Sequence, residues 1–315
     1  MQKRKLGKSS LEIAPLVFGG NVFGWTVDEK GSFALLDQFL DAGFNCVDTA
    51  DVYSKWKPGN KGGESEIIIG NWFKARGNRS KVILASKCGL EMAPDKKGLS
   101  KAYILQAVED SRKRLQTDHI DLYQSHRDDN VTAPEETMEA HAALVKAGKV
   151  RVVGASNFNA ERLGASLAAS AKAGIPRYET LQPLYSLVER KEYEGALQDL
   201  CVKEQIGVIP YYSLASGFLT GKYRTEADLA GKARAAGAGK YLNAKGLGVL
   251  KALDDGARKH NATLAQVALA WLLAQPGIAA PIASATTKEQ LADILGSTRL
   301  QLDPETLAAL DKASA

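Results

Sequence analysis

Short apolar runs, each of strand length, recur along the chain between longer stretches whose apolar positions repeat with helical period. That alternation is the pattern of repeated βα units around a parallel sheet. Runs at 16–18, 44–47, 82–86, 120–124, 150–155, 178–182, 208–211 and 278–283 predict eight strands. Helical stretches over 30–42, 64–76, 100–116, 134–147, 159–173, 193–205, 263–275 and 288–295 alternate with them. Several carry their own start signals: Ser100 and Asn159 suit N-caps, Pro134 a first turn, and Thr263 with Gln266 a capping box.

Eight units at a pitch of about forty residues fit an α/β chain folded as a (β/α)8 TIM barrel, so one domain over 1–315 accounts for the sequence. Residues 3–6 and 11–13 around Gly7-Lys8-Ser9 predict an N-terminal β-hairpin that plugs the bottom of the barrel, and Asp303-Pro304 opens an additional C-terminal helix. An open doubly wound sheet shares the βα rhythm and is the alternative. Residues 225–248, rich in Ala, Gly and Lys and without apolar periodicity, predict a mobile loop after the seventh strand, either a lid or an idle insertion.

Composition narrows the class. With 45% hydrophobic and 24% charged residues the chain can build a core, which excludes wholesale disorder. The net charge of +5 is spread among alternating signs rather than gathered in a basic block, so no nucleic-acid partner is expected. The cysteines (Cys46, Cys88, Cys201) form no CxxC pair and no disulfide framework, which fits a reducing cytoplasm, and the basic start runs into no apolar signal region. Residues 261–287 carry no charge over a membrane-spanning length, yet Gln266, Gln275, Pro276-Gly277 and Pro281 divide them into a buried helix and a core strand, so no membrane association is expected.

In such a barrel, residues just past the C-terminal ends of the strands converge on one face. Asp48 and Tyr53 follow the second strand, Lys87 ends the third, and His126 follows the fourth. A phenol, with its ordinary pKa near 10, handles protons poorly at neutral pH unless its neighbours tune it. Lys87 could lower that pKa, Asp48 could hold Lys87, and His126 could donate a hydrogen bond to a carbonyl oxygen. Such a set protonates an oxygen while hydride reaches the adjacent carbon, and needs a hydride source. No GxGxxG follows a strand, the run Gly217 to Lys222 is one residue short of a P-loop, and no HExxH or paired metal-ligand histidines occur, so no metal is expected.

From Phe18-Gly19-Gly20 to the segment around Thr286, the chain resembles the aldo-keto reductase superfamily. Asp48-Thr-Ala-Asp-Val-Tyr53 is similar to its D-x-A-x-x-Y, Gly154-Ala-Ser156-Asn157-Phe158 to its G-x-S-N-F, and Lys87 and His126 match its strand-three lysine and strand-four histidine. The resemblance implies an NAD(P)H-dependent enzyme that reduces an aldehyde or ketone to an alcohol, NADPH being favoured and NAD possible, with Tyr53, Asp48, Lys87 and His126 catalytic. It further implies cofactor contacts from Gly20 and Asn21, from Ser156, Asn157 and Gln182 to the carboxamide, and from Tyr211 to the nicotinamide ring. Ser213, Leu214, Gly217 and Lys222 would lie on the pyrophosphate side, and Ser284, Thr286, Lys288 and Gln290 at the adenosine 2'-phosphate.

The sequence departs from the family pattern in places. Thr286 stands where many members have Arg, Ile294 where an adenine-contacting Asn is common, Ser213 replaces a loop proline, and Ser54 follows Tyr53 in place of Gly. An insertion between Tyr53 and Glu64 carries Trp56, which with Trp25 and Tyr185 is a candidate wall for the carbonyl substrate. His119, His141 and His260 are expected at the surface and Cys88 in a structural role. A Schiff-base aldolase using Lys87, or a non-catalytic nucleotide-sensing subunit of the channel-associated type, are the other functions open to the sequence. A monomer or weak homo-oligomer is expected.

Overall fold

The computed structural model describes residues 2–315. Strands β1 (Arg4–Lys5) and β2 (Glu12–Ile13) form an antiparallel hairpin. There follow β3 (Val17–Gly19), α1 (Glu29–Asp41), β4 (Cys46–Asp48), α2 (Glu64–Arg76), β5 (Ile83–Cys88), α3 (Lys101–Leu115) and β6 (Ile120–Ser125). Next come α4 (Pro134–Lys146), β7 (Val150–Ser156), α5 (Ala160–Ala173), β8 (Tyr178–Gln182), α6 (Ala196–Glu204) and β9 (Gly207–Val208). The chain continues through α7 (Ala235–Gly239), α8 (Ala244–His260), α9 (Leu264–Ala274), β10 (Ile282–Ala283), α10 (Lys288–Gly296) and α11 (Pro304–Ser314).

Strands β3 to β10 form one parallel sheet of eight in the order β10-β3-β4-β5-β6-β7-β8-β9. Its edges meet: Val208 N donates to Gly277 O at 3.1 Å, Ala279 N to Val208 O at 2.8 Å, and Ile282 N to Pro210 O at 2.9 Å. The sheet therefore closes into the expected (β/α)8 barrel, which leaves no strand edge unpaired. The doubly wound alternative is set aside by this closure.

The hairpin plugs the barrel's N-terminal end. Leu6, Leu11 and Ile13 pack with inward residues of the strands, among them Val17, Cys46, Ala85, Leu122, Val152 and Ile209. Contact is close enough that a Cβ on Gly207 would lie 2.6 Å from Gly7 N, so only glycine fits there. A larger apolar layer lies between sheet and helices.

The start signals act as the sequence predicts. Ser100 and Asn159 accept from Tyr103 N and Arg162 N, Pro134 opens α4, and Thr263 with Gln266 closes a capping box on α9. The uncharged stretch 261–287 folds as α9 and β10, and among the described residues no helix is long and apolar enough to cross a membrane.

Three expectations are corrected. The helix expected from residue 193 begins at Ala196, because Tyr193 turns into the core against Tyr185. Residues 225–248 form a structured crossing rather than a featureless loop: a 3-10 turn at Glu226–Leu229, then α7, then the first turn of α8, which Asn243 caps. The crossing is tied down by Tyr212 Oη donating to Gly237 O at 2.9 Å and by Glu189, which pairs with Lys240 at 2.7 Å and accepts from Tyr241. His141, expected at the surface, is fully buried, with Nε2 2.9 Å from Ser125 Oγ. Burial pushes its imidazole down to about 4, so it is neutral at ordinary pH.

Candidate active site

Sheet register sets the floor of the site. Asp48, Ser156 and Gln182 end their strands and Lys87 and Gln124 stand one residue before the ends of theirs, so these polar side chains gather at the C-terminal mouth of the barrel. Asp48 and Lys87 are almost completely buried, with Nζ 2.6 Å from Asp48 Oδ2. The other two ammonium donors reach Thr49 O at 2.8 Å and Tyr53 Oη at 2.9 Å. Every Lys87 proton is thus used, which permits a charged lysine in an apolar barrel.

Tyr53 Oη also lies 3.3 Å from Asp48 Oδ2, and the Lys87 ammonium is 4.6 Å from the Tyr53 ring centroid. Burial, followed by the Asp48 charge, holds the phenol well above its ordinary pKa. The lowering expected from Lys87 does not prevail, because the carboxylate that secures the lysine faces the phenol too. Tyr53 is consequently a protonated donor at neutral pH. Burial lowers the Lys87 pKa, and Asp48 opposes it.

The His126 ring stands 6.0 Å from that of Tyr53, and its backbone N donates to Cys88 O at 2.8 Å. Burial first, then Lys87 and Arg127, hold the imidazole well below its usual pKa, so it is neutral. Its buried Nδ1 has no partner among the described residues. Asn157, in the left-handed region at φ 54°, donates to His126 O at 2.9 Å and accepts from Tyr211 Oη at 2.8 Å. That amide fixes the main chain after His126 and the ring of Tyr211 together.

These groups open into a cavity of about 790 Å3, within the size range of small-molecule sites. Asp48, Tyr53 and His126 line it, together with Asn21, Ser156, Asn157, Gln182, Tyr211, Ser213 and Leu214. Gly217, Lys222, Ser284, Thr286 and Gln290 complete the set that the sequence brings to this cavity. Thr286 N and Oγ1 both donate to Gln290 Oε1, and Ser284 Oγ lies 2.7 Å from Asn21 Oδ1.

Other expected residues fall elsewhere or are otherwise engaged. Gly20 packs behind the wall, its carbonyl accepting from Ser65 Oγ. Lys288 borders a separate shallow groove with Asp37 and Arg76, on the far side of α10. Gln182 lines the cavity, but its amide donates to Asp48 Oδ1 at 2.9 Å. Tyr185 is a core residue, stacked near Tyr193 and Trp271 with its hydroxyl on Glu194. Cys88 is buried, and burial pushes its thiol up, in keeping with a structural role.

Trp25 and Trp56 do line the cavity, their rings 5.6 Å apart, with Trp56 5.9 Å from Tyr53. The structure adds Arg127, Lys232 and Arg234, which sequence reasoning missed. Arg127 carried a signal, its place directly after His126. Lys232 and Arg234 carried none, since only the folded crossing over 225–243 brings them to the mouth.

Fold and site together define a barrel whose buried cluster of ionisable side chains faces a ligand-sized cavity. Residues 15–315 match the model of the Aldo/keto reductase family, and the chain belongs to that family. It is 37% identical over 322 residues to the uncharacterized oxidoreductase YrpG of Bacillus subtilis, covering 99% of this chain and 95% of that one. Protein Tas of Escherichia coli is 34% identical over 337 residues (99% and 97% covered). The aldo-keto reductase YhdN of Bacillus subtilis is 34% identical over 280 residues (85% and 78% covered). Family membership makes the protein an oxidoreductase of carbonyl compounds.

Proposed function

We propose that this protein reduces an aldehyde or ketone to an alcohol with hydride from NADPH, Tyr53 delivering the proton. The observation that carries the reading is the Tyr53 hydroxyl, held 2.9 Å from the Lys87 ammonium on the floor of the cavity beside a neutral His126.

The residues present suit a dinucleotide. Among the described residues, Lys222 and Arg234 line the cavity with no carboxylate paired to either, and Arg234 Nη2 is buried without a partner, which favours an anionic occupant. Lys232 adds a third cation on the same side. Ser284, Thr286 and Gln290 offer hydroxyl and amide groups at the opening of α10, and Ser156, Asn157 and Tyr211 lie beside the proton-handling cluster. Bound there, NADPH would supply the hydride.

The chain's own residues do the rest. His126 donates a hydrogen bond to the carbonyl oxygen and orients it. Tyr53 passes its proton to that oxygen as the carbon is reduced, and the Lys87 ammonium stabilises the phenolate left behind. Asp48 keeps Lys87 charged and aimed. Against a Schiff base at Lys87 stand its complete burial and the engagement of all its donors. The test is a panel of aldehydes and ketones followed by NADPH and NADH consumption. Reduction with NADPH at least several-fold above NADH is expected, and absence of turnover across the panel overturns the reading.

A further inference from the structure

Resting on that reading of the same site, we propose that Arg127 is a specificity-determining residue that binds a carboxylate on the substrate, whose apolar body lies along Trp25 and Trp56. The substrate class is therefore an anionic carbonyl compound, one whose carboxylate stands a ring's width from the group being reduced.

Five observations lead here. Arg127 is exposed and lines the cavity, one residue after the His126 that faces the reacting oxygen. Its neighbours in sequence are immobilised: His126 N is bonded to Cys88 O at 2.8 Å and His126 O to the Asn157 amide at 2.9 Å. The Arg127 side chain thus projects from a fixed point at the mouth.

The acidic residues that follow do not neutralise it. Asp128 is taken by Arg162 in a two-pronged pair at 2.7 and 2.8 Å. Asp129 accepts from Leu99 N, Val131 N, Thr132 N and Thr132 Oγ1, closing its own turn. Among the described residues, no carboxylate is within ion-pairing reach of the Arg127 guanidinium.

The cavity's own acids are also committed. Asp48 is paired with Lys87, and Asp293, on α10, accepts from Thr263 and Gln266. The guanidinium nonetheless bears on the groups around it: after burial and Lys87 it adds to the lowering of the His126 pKa, and it opposes the rise that burial gives the Tyr211 phenol.

Lastly, Arg127 differs in place from the other lining cations. Lys222 and Arg234 are close enough to repel each other, and Arg234 lies 5.6 Å over the Trp25 ring. Arg127 instead belongs to the β6 side, across the mouth from them. An unpaired guanidinium in a cavity that two indoles also line is a recognition site for a flat body ending in a carboxylate, which its planar fork can hold through two hydrogen bonds.

Two probes that share a ring and an aldehyde and differ in charge test the inference: 4-formylbenzoate and its methyl ester. Steady-state reduction of each with NADPH is measured alongside calorimetric binding of each to the NADP-loaded protein. For the wild type, kcat/KM and affinity are both expected to favour the carboxylate by about tenfold or more, the range of a charge-assisted pair. In Arg127→Leu this ratio collapses toward one, while Arg127→Lys keeps part of it, and thermal melts confirm that both variants fold.

Equal wild-type use of the two probes, or an unaltered ratio in Arg127→Leu, overturns the proposal and leaves the reductase reading standing. Arg127-dependent binding of the carboxylate without turnover supports the proposal and counts against the reductase reading. If neither probe binds, the proposal fails.

Discussion

The Lys87 ammonium and the Asp48 carboxylate meet at 2.6 Å inside the barrel, both essentially out of reach of water. Breaking a buried ion pair by removing one partner leaves an uncompensated charge. Lys87→Met is expected to cost about 3–5 kcal/mol in urea unfolding. Asp48→Asn in the same chain should restore part of that loss, so the double variant is more stable than the sum of the single changes implies. Additive losses would mean that the pair is not coupled.

Tyr53→Phe removes the hydroxyl between Lys87 and Asp48 and keeps the ring against Trp56 and His126. Carbonyl reduction is expected to fall by a factor of about 10²–10⁴, the usual share of a positioned proton donor, with NADPH affinity little changed. Stopped-flow turnover and fluorescence titration separate the two quantities. Normal reduction by this variant would remove Tyr53 from its assigned role.

Arg234 and Lys222 face the cavity without acidic partners, whereas Lys288 borders another groove. Arg234→Ala should therefore weaken NADPH and NADH binding alike by about tenfold or more. The salt dependence of binding should become shallower in this variant, because one screened attraction is gone. Lys288→Ala should leave both affinities unchanged. A selective loss of NADPH binding on changing Lys288 would contradict its observed position.

His141 is buried neutral with its pKa pushed down to about 4, against an ordinary 6.5 in the unfolded chain. Below pH 6.5 the unfolded state takes up the proton and the folded state does not. Stability is thus full above that pH and declines as pH falls toward 4, by about 3 kcal/mol from this group. His126, depressed in the same direction, adds to the decline. His141→Gln is expected to be less stable at pH 8, having lost the Ser125 contact, yet to lose less on acidification. Chemical unfolding at pH 8, 6 and 4.5 measures both slopes, and equal slopes would show that His141 does not titrate as described.

Gly207 leaves room for the hairpin and nothing more, since an added Cβ would sit 2.6 Å from Gly7 N and 3.0 Å from Leu6 Cα. Gly207→Ala should cost about 1–3 kcal/mol by overpacking. Deleting residues 2–13 should uncover Val17, Cys46 and Ala85 at the barrel floor, read as binding of a hydrophobic dye.

Much of this was legible in the chain itself. Strand-length runs, helical periods, Ser100, Asn159 and the Thr263–Gln266 box act over a few residues, and local signals of that range survive into the fold. Asp48, Tyr53, Lys87 and His126 could be placed together because a parallel barrel sends every strand's C-terminal end to the same mouth. The tertiary structure alone decided what depends on distant partners. Tyr53 is raised rather than lowered because Asp48 serves phenol and ammonium at once. His141 is buried because Ser125, sixteen residues away, offers it a bond in the core. Lys288 leaves the cavity and Lys232 and Arg234 enter it, since which side of α10 faces the mouth, and where the 225–243 crossing lands, are set by packing and by ties such as Glu189 to Lys240. Local sequence fixes dihedrals and periodicity, whereas charge, burial and cavity walls arise from groups far apart in the chain, and only the folded barrel brings those into contact.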